Sequence, residues 1–317
     1  MTESAAPSRT TSNPVSHARL RDLSARRNGP GIVRMASHLG AIAAGGGLIL
    51  FATSRHGLAW ALPLVVCQGF LVAFLFMPLH ETAHKTAFRT RWPNIVLGHL
   101  CGGMIGFPYE YYSLFHWEHH RHTQDLERDP ELAVMPLPGS AAGLVLAFSG
   151  AAQVYGRLRL LLKHAVTGRV EAPWVPADRR PLVVREARAY LLAYVLLTAA
   201  SVALQTPVLA LIWIGPLFFG QFFLRPYLYA EHTGCSRTRS AFENTRTTYT
   251  NAVIRWFAWN MPYHVEHHAY PSVPFHALGT LNGLVAGRIV HAEQGYPRSI
   301  GRAWRWLRAA RRGAVST

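Results

Sequence analysis

The chain has 317 residues, half of them hydrophobic and only 15% charged, against roughly 25% charged in an average soluble domain, which excludes a disordered chain. Three scattered cysteines, Cys67, Cys101 and Cys235, exclude a disulfide scaffold and suit a reducing compartment. Lys and Arg outnumber Asp and Glu 32 to 16, an excess that fits nucleic acid or an anionic membrane surface, although the abundance of Arg, Ala and Gly also follows from a GC-rich genome.

Residues 1–31 carry five Arg among Ser, Thr, Pro and Asn. No apolar run with a small-residue cleavage site follows, so a signal peptide is not expected. This stretch reads as a disordered, basic, cytoplasmic tail. Two apolar stretches come next, 33–53 and 58–79, each long enough to cross roughly 30 Å of hydrocarbon. Arg34 and His38 stand near the start of the first, where an Arg can snorkel. The joining loop, 54–57, makes the pair a tight hairpin. Two weaker stretches follow. The first, 94–109, contains His99, several glycines and Pro108; the second, 141–162, contains Arg157 and Arg159 and is followed by Lys163. Both read as re-entrant or interfacial. A second hairpin is expected over 187–204 and 207–224, broken by Gln205, Thr206 and Pro207. Near the C-terminus, Arg298 to Arg312 reads as a basic amphipathic helix with Ile300, Trp304 and Leu307 on one face. It suits an anionic leaflet or a packing site on the protein itself.

Charge then sets the orientation. The tail holds five Lys+Arg, segment 80–188 holds 13 and segment 225–317 holds 12, whereas the hairpin loops hold Arg55 and none. By the positive-inside rule the three basic segments are cytoplasmic. Eight of the 17 histidines cluster at 80–84, 116–120 and 264–268, all within those segments. The expected architecture is an all-α integral membrane protein, with four transmembrane helices in two hairpins and a cytosolic helical cap holding a histidine-rich dimetal site. A domain over 32–292 carries it, between the tail 1–31 and a basic amphipathic tail 293–317.

The clusters are HETAH (80–84), HWEHH (116–120) and HVEHH (264–268). Spacings of i, i+3 and i+4 group imidazoles on one helix face, where they can bind a common metal. The candidates are His80 and His84; His116, His119 and His120; and His264, His267 and His268. Glu118 and Glu266 sit about 200° from the first His of their boxes and point away, as partners outside the metal's own ligands. Any one box has a bland explanation as separately satisfied polar residues, but three on one membrane face do not. Uncharged imidazoles suit iron, zinc or copper, and eight are too many for one tetrahedral site.

These motifs, with NMPYHVEHHAYPSVP over 260–274, resemble the membrane fatty acid desaturase and hydroxylase superfamily across roughly 30–290. The resemblance implies a helical membrane fold and a non-haem di-iron centre that uses O2 and two electrons on an unactivated C–H bond. It implies that the eight box histidines hold the two irons. It also implies a ninth ligand between the fourth span and the last box, where His232 stands. The competing reading of His232 is a polar residue at the membrane boundary. Asn260, four before His264, could share its face as an oxygen ligand, directly or through water; it is equally a good N-cap with Pro262 in the first turn. His122 lies off the face of the second box and reads as a ligand-orienting or loop-anchoring residue. Asp125, Asp129 and Glu131 follow in a polar loop, by default as solvated charges and alternatively as hydrogen-bond partners of the ligand histidines.

The boxes alone do not choose between alkene and alcohol. The short first box and Tyr263-His264-x-Glu-His-His look more like bacterial lipid desaturases, sphingolipid desaturases and carotenoid ketolases or hydroxylases. A fatty acyl desaturase in a bacterial inner membrane is the favoured reading; a lipid or carotenoid hydroxylase or ketolase is the alternative. Apolar positions in 65–79 and 210–224 are candidates to line an acyl tunnel, although most read as lipid-facing or packing residues. No haem domain, iron–sulfur pattern or flavin fingerprint is visible, so electrons are expected from a ferredoxin, rubredoxin or cytochrome, and nucleic acid is not an expected partner. HETAH also matches the zinc-peptidase motif with Glu81 as general base, a reading that leaves the other boxes idle. A metal carrier is a third class, although transporters bury their ligands near the bilayer midplane.

Overall fold

A computed structural model describes residues 15–135 and 140–311. The fold is mostly helical. Helix α1 (His17–Leu23) is capped by Ser16, whose hydroxyl accepts from the Arg19 amide, and buries Leu23. Helix α2 (Asn28–His56) then runs 29 residues to Gly57 at φ 87°. The tail expected over 1–31 is therefore corrected in its described part, where it is helical; residues 1–14 lie outside the described residues.

After Gly57 come α3 (Leu58–Ala73) and α4 (Phe76–Ala83), almost collinear across Phe74 and Leu75. Asn28–His56 and Leu58–Ala83 are the two described helices long and apolar enough to cross a membrane. They contain the first expected hairpin. The second does not reach that standard. Helix α10 (Arg180–Ala203) carries Arg180, Arg185, Glu186 and Arg188 in its first half. Its partner is interrupted by a π-helical turn at Ala210–Ile214 before α11 (Gly215–His232). Four apolar rods of equal standing are thus not what the chain forms: two are clear, and two are shortened by charge and by the irregular turn.

Between the hairpins lie α5 (Arg91–Ile105), α6 (Tyr109–His122) and α7 (Pro130–Val134), followed by α8 (Ala141–Ser149) and α9 (Ala151–Thr167). Left-handed glycines end three of them, Gly168 (φ 67°) closing α9. Gly106 (φ 70°) closes α5, and Gly150 (φ 65°) bends the stretch 141–162 into two helices. After α11 come α12 (Ala241–Asn244), strand β1 (Arg246–Tyr249), α13 (Ala252–Phe257), α14 (His264–Ala269) and α15 (Leu278–Val285). Strand β2 (His291–Gln294) pairs in parallel with β1, Arg246 opposite His291. Helix α16 (Tyr296–Arg311) ends the described chain. Its stripe of Ile300, Ala303, Trp304 and Leu307 lies against Leu144, Phe148 and Tyr229. Ala303 and Leu307 of that face are buried, and Ile300 and Trp304 are half-buried.

The main axis of packing is α3 against α11, with α2 alongside α3. Backbones touch at Gly69 and Gly220: a Cβ at Gly69 would sit 2.7 Å from the Pro216 carbonyl, and one at Gly220 would strike the Gly69 carbonyl. Small residues permit such close approach between apolar helices. Both helices lead directly into site residues, α3 through α4 to His80 and His84, and α11 to His232. Gly220→Val should separate them and destabilise the fold by about 1–3 kcal/mol. A lower melting temperature of the detergent-purified protein than wild type is the expected readout.

Candidate metal centre

Four elements deliver nine imidazoles to one place. Helix α4 presents His80 and His84, α6 presents His116, His119 and His120, and α14 presents His264, His267 and His268. His232 is the last residue of α11. In one group, the nitrogens of His80, His84, His116, His120 and His267 all lie within 4.8 Å of one another. His84 Nε2 is 2.7 Å from His116 Nε2, which is 3.0 Å from His120 Nε2; His120 Nε2 is 3.1 Å from His267 Nε2. A second group joins His119, His232 and His268 under the same limit, and His264 Nε2 approaches His232 Nε2 at 3.2 Å. The rings of His120 and His268 stack at 4.1 Å between the groups.

This donor set fits two metal ions. Nitrogens this close can share at most one proton per pair, so most face one another as lone pairs. Both nitrogens of His80 are buried without a hydrogen-bond partner, a cost that a bound cation removes. Burial holds His116, His120, His264, His267 and His268 well below the ordinary imidazole range, so these rings are neutral, as metal ligands must be. His119 differs. Burial disfavours its cation, but Glu131 and Asp129 outweigh that and push it up to about 9.

The outward nitrogens are held by a second layer. His119 Nδ1 lies 2.9 Å from Asp129 Oδ1. Asp129 is itself fixed, because it caps α7 by accepting from the Glu131 amide at 2.9 Å and from the Gln124 amide at 2.9 Å. The Asn244 carbonyl stands 3.2 Å from His232 Nδ1, and the Thr123 hydroxyl 3.3 Å from His268 Nδ1. Glu231 lies 3.4 Å from His264 Nδ1. Such partners fix ring orientation and tautomer. Glu266 points away from the cluster: Oε2 accepts from the Thr247 hydroxyl at 2.6 Å, and Oε1 takes the Asn282 amide. This binds α14 to β1 and α15.

Other candidates fall elsewhere. Glu118 pairs with Arg121 at 2.7 Å and with His122 at 3.5 Å, at the partly exposed side of α6. Asn260 neither caps α14, whose N-cap is Tyr263, nor reaches the imidazoles by any described contact. It occupies the left-handed region (φ 58°), and its amide donates to the Phe275 carbonyl at 2.9 Å. Phe275 in turn donates its backbone amide to Glu81 Oε1 at 3.1 Å. Glu81 is thus a structural tie to the loop after the third box, which removes it from the general-base position of the peptidase reading. Asp125 does stay exposed and caps its own turn. Asp129 and Glu131 do not: Asp129 is buried, and Glu131 Oε2 lies 3.5 Å from His119 Nε2. The pair Asp129-Pro130 is an N-cap signal in the sequence, but nothing in the sequence says what that helix start lies beneath.

The imidazoles open on a cavity of about 510 Å³. His80, His116, His119 and His264 form one wall, and Phe76, Tyr112, Phe115 and Trp174 form much of the rest. The tunnel expected between 65–79 and 210–224 is corrected by this position. Phe76 belongs to the first range, and the cavity is otherwise lined mostly from α6, α7, α9 and the end of α11, with His80, His264 and Trp174, while Gly69 and Gly220 close the space between α3 and α11.

Removing the anchor of one ring should weaken one metal group. Asp129→Asn is expected to lower metal affinity about 10–100-fold while the protein stays folded. Metal retained by the purified protein after dialysis against graded chelator measures this.

Comparison with known proteins agrees with this geometry. The chain is 39% identical over 64 residues to beta-carotene 4-ketolase 3 of Haematococcus lacustris, 20% of each protein. It is 27% identical over 236 residues to a sphingolipid delta(4)-desaturase of Drosophila melanogaster, 72% of this chain and 67% of that protein. It is 31% identical over 93 residues to the sn-1 oleoyl-lipid 12-desaturase of Synechocystis sp., 29% of this chain and 25% of that enzyme. The ketolase and the oleoyl-lipid desaturase are therefore matched over a quarter of their length or less. The sequence model of the fatty acid desaturase family matches residues 55–298, which include all nine clustered histidines. The chain belongs to the fatty acid desaturase family.

Proposed function

We propose that this protein is an integral membrane, O2-dependent desaturase that introduces a C=C bond into a lipid acyl chain. The observation that carries the reading is the pair of imidazole groups, neutral but for His119 beside Asp129 and Glu131, forming one wall of an apolar cavity. His80, His84, His116, His120 and His267 would hold one iron; His119, His232, His264 and His268 would hold the other. When bound, the two irons supply the oxidation of an unactivated C–H bond by O2 and two electrons, chemistry that side chains lack. The chain's own part is to keep the imidazoles deprotonated and oriented, to keep water out of the aromatic slot, and to set one methylene against the histidine wall.

Support for the membrane setting extends beyond the two long helices. Leu192, Val195, Leu196 and Val202 of α10, and Phe218, Phe219, Phe222 and Phe223 of α11, are exposed. Apolar surface of that extent needs lipid or a partner. Our reading is four spans, with both termini and the histidine boxes on the cytoplasmic side of a bacterial inner membrane. Electrons come from a separate ferredoxin, rubredoxin or cytochrome, for which the basic cytoplasmic surface is a suitable dock.

The identity to the ketolase favours a second reading, hydroxylation or ketolation of a lipid or carotenoid by the same site. Mass separates the outcomes. In cells expressing the chain, desaturation gives lipids lighter by two hydrogens, whereas hydroxylation gives lipids heavier by one oxygen. The expected result is the lighter pool, dependent on O2 and absent from the His267→Ala variant. Two irons in the purified protein accompany it; a single zinc would instead restore the peptidase reading.

A further inference from the structure

We propose that the cavity beside the histidines recognises an anionic group, carboxylate or phosphate, on its amphiphilic substrate through Arg157 and Arg225. This rests on the oxidase reading and narrows its substrate to acidic acyl amphiphiles, excluding neutral polyenes. Both arginines line the cavity. Arg225 is 1% exposed. Its Nε donates to Gln221 Oε1 at 3.0 Å, but its Nη2 is buried without a hydrogen-bond partner. Arg157 comes from α9, with its guanidinium 4.2 Å from the Phe107 ring centroid, and the two cations are close enough to repel. The indole Nε1 of Trp174, in the same wall, is also buried and unpartnered.

The cavity's carboxyls make no hydrogen bond to these donors, although Glu131 and Arg225 attract one another across the cavity. Glu131 faces His119 at 3.5 Å, and Glu231 faces His264 at 3.4 Å. No hydrogen bond joins either to a guanidinium among the described residues. In the free protein, water in the cavity can solvate Arg157 and Arg225. An acyl chain entering the slot displaces that water. A neutral amphiphile would then leave two guanidiniums desolvated and unpaired, which is costly. An anionic head takes up the free N–H groups in charge-assisted hydrogen bonds, the geometry that guanidinium provides for carboxylate and phosphate. The aromatic slot would hold the adjoining methylenes, placing carbons near the head against the histidine wall.

The test is equilibrium binding of three sixteen-carbon probes, palmitate, hexadecyl phosphate and hexadecanol, to the full chain in neutral detergent. At least one anion should bind about tenfold more tightly than the alcohol, equivalent to about 1.4 kcal/mol. The tighter of the two anions identifies the head as free acid or phosphate. Arg157→Gln and Arg225→Gln should each reduce the preference and leave hexadecanol binding in place, while Arg157→Lys should restore part of it. Should the buried Arg225 variant fail to fold, the half-buried Arg157 position still decides. Equal binding of the alcohol, binding of none of the probes, or an unchanged preference in Arg157→Gln overturns the proposal. Iron content and O2-dependent turnover are measured on the same preparation. A metal-loaded, active enzyme without anion preference sinks this site alone; an anion preference without bound metal sinks the oxidase reading.

Discussion

Everything in this fold answers to one electrostatic constraint: nine imidazoles are crowded together with their nitrogen lone pairs facing inward. Protonation would place like charges within about 3 Å of each other in a poorly solvated interior, which is prohibitive. Neutral rings avoid that but leave polar atoms unsatisfied, as at both nitrogens of His80. Only a cation at the centre settles both costs. The surrounding layer of Asp129, the Asn244 carbonyl and Thr123 meets the outward nitrogens of His119, His232 and His268, which orients those three rings.

Those requirements explain the architecture. Ligands 188 residues apart, His80 and His268, must converge within a few ångströms, and helices rising from the apolar layer are rigid enough to bring them there. Gly69 and Gly220 let α3 and α11 run in backbone contact, which fixes the separation of the helices that lead to His80, His84 and His232. Glu81 and Glu266, the box residues that point outward, tie the ligand helices to Phe275 and to Thr247 and Asn282. Each box therefore carries its own fastening beside its ligands.

Much of this was legible in the residues. Helical spacing showed that the box histidines could gather, but it did not show that the structure divides the second and third boxes between two groups; hydropathy located the first hairpin to within a few residues. His232 followed only from its place in the chain, because a single histidine has no periodicity. Asn260 shows how local signals mislead. Asn-Met-Pro reads as a helix start, yet Asn260 takes a left-handed backbone, which Asn tolerates better than most residues, and the helix begins three residues later. Asp129 and Glu131 were read as solvated because a polar loop is solvated by default; only the path of the chain beneath His119 buries them. The second hairpin falls short of the first in length and hydropathy because charges fill the first half of α10 and a π-helical turn interrupts its partner, features that a hydropathy average does not separate.

The parallel pairing of β1 with β2 has a consequence for how the protein is made. β1 holds Thr247, the partner of Glu266 in the third box, and its neighbouring strand lies at residues 291–294. The last support of the site is thus translated after all three boxes. The first two boxes, with five histidines, are made well before then, and on the proposed function they would be able to take up metal in incomplete sets. Correct assembly therefore depends on the order of events during biosynthesis. Weak, reversible capture by partial sets, followed by tight closure once the final strand docks, would let a mismatched ion escape before the site is sealed.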